Sequence, residues 1–504
     1  MALINSVILW LIKKRFHQIE LFMKYPHEVQ GELFKKLLNT AKDTEWGKRY
    51  DFKSISTYEE FRNRIPVNDY DSIKGDIELL MKGKQNILWP TDTRLFAKSA
   101  GTTNDKSKFI PVSPESIEEC HYKGGKDMLS IYCHYHTGAL MFDGRGVAMG
   151  GSHTIREVDN EEYYIGDLSA LIIQKLPFWA EFIRVPKLKL ALMDEWEEKI
   201  EKMAHATIPH NVTSLSGVPS WTLLLLNHIL EITGKENILE VWPNLEVFFH
   251  GGVNFGPYRQ QFESLIPSAK MQYRNTYSAS EGFFGIQEGQ EADDLLLMLD
   301  YGIFYEFIPV SEIDNDQPKA IPLTEVEKDI NYAMVITTNA GLWRYLIGDT
   351  VKFTSTNPFR IKITGRTKSF INAFGEELIV DNAEKALYIA TTKCNAIIND
   401  YTAAPVYLEG KNNAAHEWLI EFTKEPENLE FFTETLDNAL KSLNSDYEAK
   451  RYHDMILRKP IVRKLPPKTF YKWMKMRGKL GGQNKVPRLA NDRHYVDEIL
   501  KIIE

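Results

Sequence analysis

The middle of the chain alternates short apolar runs with longer amphipathic stretches, and this alternation constrains the fold more than any other feature. Runs such as Ala139–Phe142, Leu245–Phe249 and Met334–Thr337 have the length and composition of strands. Between them, stretches such as Pro219–Ile232 and Pro257–Leu265 carry apolar residues at helical spacing. Strands that alternate with helices favour layered α/β architectures, so we predict an α/β fold with a substantial sheet.

The length of the chain indicates more than one domain. Single hydrophobic cores stop growing near about 250–300 residues, and this chain has 504. Helical periodicity dominates residues 1–85, and the mixed pattern follows it. A boundary is indicated near Gly365–Lys368. We therefore predict a large N-terminal domain over residues 1–365 and a small α+β C-terminal domain over residues 366–504.

Charge and cysteine content narrow the class of protein. The formal net charge of -8 disfavours general binding to nucleic acid, because that affinity requires clustered Lys and Arg. Three cysteines without a C-x-x-C pair support neither a disulfide framework nor a zinc ribbon, so we predict a cytoplasmic protein. The apolar run Ala2–Ile12 is too short to span a bilayer. We interpret residues 2–24 as an amphipathic helix without integral membrane association, and attachment to a membrane surface is the alternative.

One segment has the chemistry of a phosphate-binding loop. Between Phe96 and Pro111, small and hydroxylic side chains surround a glycine, and lysines follow. Such a loop lets the backbone approach an anion, while N–H groups, hydroxyls and ammonium groups supply donors to phosphate oxygens. It is not a Walker A motif, since no G-x-x-x-x-G-K-[ST] occurs in the chain. The alternative is a polar hairpin loop between two strands. The candidate phosphate ligands are Ser99, Gly101, Thr102 and Thr103.

Two further segments offer polar groups to a nucleotide. In the segment N-T-Y-S-A-S-E-G, Tyr277 is a candidate to lie against an adenine, Ser280 to bond phosphate, and Glu281 to hold Mg²⁺. Farther along, Asp349 follows Gly348, and its two carboxylate oxygens can accept both hydroxyls of a ribose. The alternatives are a strand-end turn with a solvated glutamate and an ordinary Gly-Asp turn.

The last third of the chain adds basic residues. Arg366 and Lys368 lie at the predicted domain boundary, where charge suits a hinge that also touches the nucleotide, or a solvated linker. The run Arg458–Arg488 contains many Lys and Arg residues and no acid, which fits a phosphate-facing surface, a nucleic-acid or membrane patch, or a solvated face. Within this run, Lys485 lies between a glycine pair and a proline, which is a rigid way to present an ammonium group.

Four of these segments, in this order, resemble one family. The segment that begins at Ser99 is similar to a phosphate loop S-S-G-T-S, with Ala100 in place of the second serine. The segment Y-S-A-S-E that ends at Glu281 is similar to Y-A-S-S-E, Arg344–Asp349 to Y-R-V-G-D, and Gln483–Arg488 to Q-Y-K-x-P-R. The chain thus resembles the Gretchen Hagen family, the plant auxin-inducible acyl acid amido synthetases and their bacterial relatives, within the firefly-luciferase-like adenylate-forming superfamily.

The resemblance implies a fold and a reaction, and the segment around Gly365–Leu378 is more similar to the bacterial branch. The large domain would combine β-α layers with a barrel-like portion, and a small mobile C-terminal domain would cap the site. ATP and Mg²⁺ would activate a small carboxylic acid as an acyl-adenylate with release of pyrophosphate. An amine such as an amino acid would then displace AMP. In this scheme Glu281 holds Mg²⁺, Asp349 the ribose, and Lys485 the growing charge.

The resemblance also suggests a pocket, a hinge and alternatives. Candidates for the acyl pocket are Trp221, Phe249 and Val253, next to Gly252, whose position in a glycine pair at a strand end would let the backbone contact the nucleotide. Core packing explains Trp221 at least as well. Lys368 lies where the superfamily has its hinge. An acyl-CoA synthetase with a thiol acceptor and a catalytically degenerate nucleotide-binding protein are the alternative functions, and we expect a monomer.

Overall fold

The structure, a computed structural model, describes most of the chain. Its strands form four sheets, of 12, four, three and two strands. Helices lie against these sheets, so the predicted α/β class is confirmed. The described residues are 15–99, 108–136, 138–151, 153–158, 161–176, 183–193, 196–252, 255–289, 292–313, 315, 318–367, 370–371, 376, 378–408, 413–451, 457–480 and 485–503.

Helices dominate residues 15–85, as the periodicity predicts. Local signals mark two of their starts: Thr57 and Glu60 form a capping box, and the Asp69 side chain accepts a hydrogen bond from the Ser72 backbone N–H. Of the predicted N-terminal helix, residues 15–24 are helical and residues 1–14 lie outside the described part. The further helices here are Pro26–Ala41, Glu45–Arg49, Tyr58–Arg64 and Tyr70–Met81, with a 3₁₀ turn at Phe52–Ser54.

The strands follow in chain order, and two of the three quoted strand predictions are confirmed by β8 and β14. They are β1 (Leu95–Ser99), β2 (Lys108–Val112), β3 (Arg145–Ala148), β4 (His153–Val158), β5 (Glu161–Gly166), β6 (Arg184–Val185), β7 (Val212–Gly217), β8 (Val247–Gly251), β9 (Gln272–Ala279), β10 (Gly282–Ile286), β11 (Leu295–Leu297), β12 (Ile303–Pro309), β13 (Ile321–Pro322), β14 (Asn331–Thr338), β15 (Tyr345–Thr356), β16 (Phe359–Arg366), β17 (Phe370–Ile371), β18 (Leu378–Ile379), β19 (Ile397–Leu408), β20 (Asn413–Lys424) and β21 (Ile461–Leu465).

The large sheet has a parallel half and an antiparallel half. Its order is β13-β12-β14-β15-β16-β11-β10-β9-β8-β7-β3-β6. Strands β6, β3, β7, β8 and β9 pair in parallel, and the pairs from β9 to β13 are antiparallel. The order β2-β1-β5-β4 forms a separate sheet. Among the described strands no pairing closes a sheet on itself, so the expected barrel-like portion does not occur there as a closed barrel.

Two helices against the parallel half confirm predicted stretches almost to the residue. Pro219–Thr233 begins with proline at its first position and ends before Gly234, which has φ of 64°. Gly256–Leu265 follows β8 and also begins with a proline in its first turn. The other helices before residue 366 are Pro114–Ser116, Lys123–Tyr135, Leu168–Gln174, Leu188–Ala191 and Trp196–Thr207, with a π-helical turn Ile117–Tyr122 and 3₁₀ turns Ile238–Glu240, Val310–Glu312 and Leu323–Glu325.

The strand predicted at Ala139–Phe142 is wrong. These residues form a turn-rich connection before β3. Side chains, rather than a strand ladder, satisfy the backbone: Thr213 Oγ1 donates to Met141 O at 2.6 Å, and the Leu140 N–H donates to Glu246 Oε2 at 2.9 Å. Two apolar side chains of the segment are nevertheless buried. Burial without strand pairing therefore explains the apolar run.

The C-terminal part is a three-stranded sheet between helices, with the order β19-β20-β21. Tyr401 and Trp418 belong to a cluster on one side of this sheet, and Ala404 and Leu419 to a cluster on the other. The strand β19 ends at Leu408, and the long helix Leu429–Leu443 follows β20. The helices are Val380–Lys393, Leu429–Leu443, Ser445–Arg451, Thr469–Met476 and His494–Ile503.

The hydrophobic clusters change near the predicted domain boundary. Among the described residues, four clusters draw their members from residues 16–361. Two further clusters draw theirs from residues 371–502. This separation supports the division into residues 1–365 and 366–504, which stays a prediction.

Arg344, which lies in the third sequence motif, is a structural residue. Its guanidinium pairs with Glu306 at 2.8 Å, and both side chains are almost fully buried. The same guanidinium donates to the carbonyl oxygens of Ile65 and Arg62, and Tyr58 Oη donates to Glu306 Oε1 at 2.8 Å. A buried ion pair holds its position through such extra hydrogen bonds. Arg344 therefore fastens the N-terminal helices to the large sheet.

The cysteines of the chain are free thiols. Cys120 and Cys133 are buried and Cys394 is half-buried, and all three are free. Burial raises the pKa of Cys120 and of Cys133 to about 12, so both thiols stay protonated near neutral pH.

Within the described ranges, no helix combines the length and the apolar character needed to cross a bilayer.

Candidate active site

Parallel strands of the large sheet end at one edge, and small residues follow them. β8 ends in Gly251, Gly252 comes next, and Ser280 follows β9. Gly252 has φ of 81°, and a Cβ on Gly251 would lie 2.5 Å from the Thr276 carbonyl oxygen. Both positions therefore require glycine. Ligands of open α/β sheets bind outside the carboxyl ends of the strands, so this glycine edge is the candidate active site.

Ser280 presents an unsatisfied hydroxyl at the glycine edge. The residue is 3% exposed, and its Oγ has no hydrogen-bond partner among the residues that the structure describes. Buried polar groups in folded proteins almost always have partners, so an orphaned hydroxyl needs an explanation. A ligand oxygen is one, and the sequence predicted a phosphate contact at this residue.

Glu281 lies beside Ser280 in the turn between β9 and β10. Burial and the negative charge of Asp349 raise the pKa of Glu281, whereas Arg366 and Lys108 act in the opposite direction. A cation near this carboxylate would favour its charged form. The described residues contain no group of three acidic, His or Cys side chains that would hold a metal ion alone. Mg²⁺ commonly binds through one or two carboxylates, waters and substrate phosphates, so Glu281 fits the predicted ion together with a nucleotide.

Asp349 lies at the centre of a hydrogen-bonded group. It faces Arg366 across β15 and β16, and Arg366 Nε donates to Asp349 Oδ1 at 2.8 Å. Tyr277 Oη donates to Oδ2 at 2.8 Å. Each carboxylate oxygen keeps a second lone pair, so ribose hydroxyls can still donate to it. The Tyr277 ring is buried beside Phe284, and its contact with an adenine stays a prediction.

Lys485 reaches the same edge from the C-terminal part of the chain. Its ammonium donates a hydrogen bond to the Gly252 carbonyl oxygen. Protein atoms crowded around the ammonium, and the positive charges of Arg366 and Arg488, lower the pKa of Lys485 to about 8, while Asp349 acts in the opposite direction. The residue as a whole is exposed. The structure thus brings a titratable cation to the glycine edge.

Arg488 joins the two parts of the chain, a role that the sequence alone does not reveal. Its Nη2 donates to Tyr258 Oη at 3.1 Å, in the helix that follows Gly252. Its Nη1 pairs with Asp400, and the guanidinium lies 4.7 Å from the centroid of the Tyr401 ring. In the sequence, this residue is marked only as the last position of the fourth motif, Gln483–Arg488. By joining the two parts, Arg488 fixes the turn that carries the lysine.

The predicted phosphate loop joins two antiparallel strands. β1 ends at Ser99 and β2 begins at Lys108, and these residues face each other in register. The segment is therefore a hairpin connection, which is compatible with phosphate binding. The positive charge of Lys108, the first residue of β2, acts to lower the pKa of Glu281, against burial and Asp349. Gly101, Thr102 and Thr103 lie outside the described residues.

The structure separates the predicted acyl-pocket residues. Trp221 belongs to a cluster with Phe248, on one face of β8. Phe249 points to the opposite face, where its ring centroid lies 5.5 Å from that of Tyr132. Successive side chains alternate across a strand, so the sheet lies between the two predicted positions. The third predicted residue, Val253, and the predicted hinge residue, Lys368, lie outside the described part of the chain.

Several residues of the basic run Arg458–Arg488 are paired with acids. Lys464 lies 2.5 Å from Glu425, and Arg477 lies 2.9 Å from Glu498. Arg463 and Lys459 also form ion pairs. This local neutralisation favours a solvated, ion-paired face over a nucleic-acid patch.

Family models match most of the chain. The GH3 family N-terminal domain matches residues 15–271, which is more than half of the chain. The GH3 family central domain matches residues 296–366, and the GH3 family C-terminal domain matches residues 381–494. All three models belong to one family, and they follow one another along the chain.

Curated plant proteins are similar over much of their length. Indole-3-acetic acid-amido synthetase GH3.3 of Arabidopsis thaliana is 22% identical over 541 residues, which covers 92% of this chain and 89% of the relative. Jasmonoyl--L-amino acid synthetase JAR4 of Nicotiana attenuata is 22% identical over 405 residues, which covers 66% of this chain and 68% of the relative.

Solved structures share the fold. The GH3.15 acyl acid amido synthetase has a TM-score of 0.79 at 14% identity, covering 97% of this chain and 96% of that one. 2-Hydroxyisobutyryl-CoA ligase in the postadenylation state has a TM-score of 0.55 at 12% identity, covering 94% and 91%. Identities this low speak to the fold alone. They confirm the predicted architecture of a large N-terminal part followed by a smaller C-terminal one.

Proposed function

The chain belongs to the GH3 family, and from that premise we propose that it is an acyl acid amido synthetase. It activates a small carboxylic acid with ATP as an acyl-adenylate, releases pyrophosphate, and transfers the acyl group to an amine such as an amino acid with release of AMP. One observation carries the proposal: Lys485 meets the Gly252 carbonyl oxygen at the edge where Ser280 presents an orphaned hydroxyl.

In the first half-reaction, an oxygen of the acid's carboxylate bonds to the α-phosphorus of ATP, and the bond to the pyrophosphate oxygen breaks. Negative charge is redistributed over the phosphate oxygens, so the protein acts mainly by positioning the reactants and stabilising charge. We assign the α-phosphate and the attacking carboxylate to Lys485 and the Gly252 backbone. We assign further phosphate contacts to Ser280 and to the loop residues Ser99, Gly101, Thr102 and Thr103.

The same site offers a carboxylate for the metal that accompanies ATP. Glu281 would hold Mg²⁺ together with phosphate oxygens, and the ion would neutralise phosphate charge while bound. The neighbouring Asp349 is committed to Arg366 and Tyr277, which favours Glu281 as the metal ligand.

Asp349 is the proposed ribose contact, and its replacement by alanine should chiefly weaken ATP binding. A ribose contact is present in both the ground state and the transition state, so its loss raises KM more than it lowers kcat. We expect the KM for ATP to rise about tenfold, the scale of a lost hydrogen bond to a charged group. Steady-state exchange kinetics at varied ATP measure both constants. A large fall in kcat at unchanged KM would contradict the ribose role.

In the second half-reaction, the amine nitrogen bonds to the carbonyl carbon of the adenylate, and the bond to the AMP oxygen breaks. Lys485 occupies the Gly252 edge, so we propose that the C-terminal part rotates about Lys368 to admit the acceptor. Family membership and the change of hydrophobic clusters near this position support that proposal. Release of the Arg488 contact with Tyr258 would accompany the rotation.

Replacing Lys368 by proline should uncouple the two half-reactions. Proline fixes φ near −65° and so narrows the range of a pivot. We expect pyrophosphate exchange to keep a substantial fraction of the wild-type rate, while overall amide synthesis falls by about tenfold or more. Both rates are measured on one preparation. Lys368→Ala is the matched control, because it removes the ammonium and leaves the backbone free. Equal losses in both rates, or none, would mean that residue 368 is not the pivot.

ATP–pyrophosphate exchange across a panel of carboxylic acids tests the proposed activity. Aryl, indolyl, fatty and amino acids cover the chemical range, and the acids that support exchange are then offered amines or CoA. We expect exchange with at least one acid and amide formation in the presence of an amino acid. Thioester formation would instead favour an acyl-CoA synthetase. ATP binding without exchange for any acid would favour a degenerate nucleotide-binding protein.

We also propose a cytoplasmic monomer. Three free cysteines, two of them buried as protonated thiols, fit a reducing compartment. Light scattering coupled to size-exclusion chromatography measures the mass in solution, and the chain mass of 58.2 kDa is the expected result. A mass twice that value would contradict the monomer.

A further inference from the structure

Arg274 is a buried arginine with no acidic partner among the described residues. It lies on β9 and is 2% exposed. Its Nη2 donates to Gln272 Oε1 at 3.1 Å and lies 3.2 Å from His136 Nε2, whereas Nε and Nη1 find no hydrogen-bond partner in the described part of the chain. Burial lowers the pKa of the Arg274 guanidinium, and Tyr132 acts in the opposite direction. A buried charge without an anion is costly, so the site is incomplete without a further group.

Two other buried arginines, Arg344 and Arg451, have carboxylate partners. Arg344 pairs with Glu306 at 2.8 Å, and Arg451 pairs with Asp437 at 2.8 Å. Glu246 immediately precedes β8, the strand beside β9. Its carboxylate already accepts hydrogen bonds from the Tyr132 hydroxyl and from the Leu140 N–H. Of the described residues, none forms an ion pair with Arg274. The missing anion therefore points to a ligand.

The register of the sheet connects Arg274 to the glycine edge. In the register of β8 and β9, Arg274 lies beside Phe249 and Thr276 lies beside Gly251. Both strands lead toward Gly252. Side chains two residues apart share a face of a strand. At about 3.3 Å per residue, two residues span about 7 Å and four residues, back to Gln272, span about 13 Å. The backbones of Arg274 and Gln272 therefore lie about 7 Å and about 13 Å from the edge.

The residues between Arg274 and the glycine edge suit the apolar part of a small organic acid. Tyr132, Cys133, Phe249 and Val247 form an apolar cluster on the same face. The Tyr132 ring stacks on the His136 ring with centroids 4.7 Å apart, and the Arg274 guanidinium lies 5.9 Å from the Tyr132 ring centroid. Apolar walls with one or two placed polar groups are typical of ligand sites.

We propose that Arg274 is a specificity-determining residue that receives a second anionic group at the far end of the acid substrate. The inference rests on the proposed function: one carboxylate reacts at Gly252 and Lys485, and the other group pairs with the guanidinium. The side chains of Gln272 and His136, which lie within hydrogen-bond distance of Arg274, are further polar groups beside the same anion. The substrate class is therefore an acid with two acidic groups separated by about 7–13 Å.

Pyrophosphate exchange with matched acids tests this inference. Straight-chain α,ω-dicarboxylates of about six to ten carbons span the required distances, and monocarboxylates of equal length are the comparison. We expect the wild-type kcat/KM to favour a dicarboxylate by about a hundredfold, because a site built to bond a group rejects the analogue that lacks it. Arg274→Met should abolish this preference. Arg274→Lys keeps the charge without the guanidinium fork and should retain the preference with about tenfold lower kcat/KM.

Stability separates a ligand site from a structural arginine. Arg274→Met removes an uncompensated charge, so its Tm should equal or exceed that of the wild type. Arg344→Met is the matched control, because it breaks a buried ion pair and should lower Tm by several degrees. A fall in Tm for Arg274→Met as large as that of the control, with unchanged acid preference, would overturn the inference.

Direct binding keeps this test separate from the test of the proposed activity. Calorimetric titration of the wild type and of Arg274→Met with the same acids needs no turnover. Dicarboxylate binding that is lost in Arg274→Met supports the site even if no acid supports exchange, an outcome that would count only against the proposed activity. If dicarboxylates and monocarboxylates bind equally well and support equal exchange, the inference about Arg274 is wrong and the proposed synthetase activity is unaffected.

Discussion

Replacing Lys485 by alanine should lower ATP–pyrophosphate exchange by about a hundredfold or more, the scale of losing one positioned charge at a transition state. The ammonium lies on the Gly252 carbonyl oxygen and faces the edge where the phosphate and carboxylate would meet. Its loss should lower kcat/KM and leave the melting temperature unchanged, because Lys485 is exposed. Exchange assays and thermal melting on the same preparation measure both effects.

Lys472 provides a matched control for this substitution. It is an exposed lysine in the same basic run, on the helix Thr469–Met476. Lys472→Ala removes an equal charge away from the glycine edge, so exchange should stay near the wild-type rate. If Lys485→Ala also stays within a few-fold of the wild type, Lys485 is a surface lysine and the proposed role is wrong.

The same ammonium should give the wild-type enzyme a pH dependence. The pKa of Lys485 is lowered from its ordinary 10.5 to about 8, and the charged form is the one that stabilises developing negative charge. Exchange should therefore be full below this pKa and decline as pH rises through about 8. In Lys485→Arg the guanidinium remains charged, so that decline should be absent even though the rate is lower.

The site was predictable where its signals are local. A glycine pair after an apolar run fixes how closely the backbone can approach a ligand, and Gly251 and Gly252 show this in their geometry. Likewise, Ser280 follows a strand directly, and Asp349 follows a glycine within one. Because parallel strands share one carboxyl edge, segments far apart in sequence deliver their last residues to the same place. This rule accounts for the convergence of residues near positions 252 and 280.

The remainder depends on contacts that no local pattern contains. Arg274 lies in the mainly polar strand β9, and no local pattern shows that its neighbour is His136, 138 residues earlier, rather than a carboxylate. Trp221 and Phe249 are both apolar neighbours of the glycine pair in sequence, yet the sheet separates them. Arg344 belongs to a functional-looking motif and is instead paired in the core. In each case the partner, rather than the residue type, decides the role.

Replacing Glu281 by glutamine should lower exchange by about a hundredfold and raise the Mg²⁺ concentration needed for half-maximal rate. The change keeps the shape of the side chain and removes the charge that a hard cation prefers. Burial and Asp349 already raise the pKa of Glu281, so the carboxylate gains most from a nearby cation. Exchange rates measured over a range of Mg²⁺ at fixed ATP report both quantities.

Two outcomes of this experiment separate a metal ligand from a structural glutamate. Glu263→Gln, on the exposed side of the helix Gly256–Leu265, is the matched control and should leave rate and Mg²⁺ dependence unchanged. A rate loss in Glu281→Gln that excess Mg²⁺ partly restores is the expected signature, since weakened binding yields to mass action. A loss at every Mg²⁺ concentration with an unaltered half-maximal point would instead assign Glu281 to the electrostatics of Asp349 and Arg366, and would leave the metal without a protein ligand at this turn.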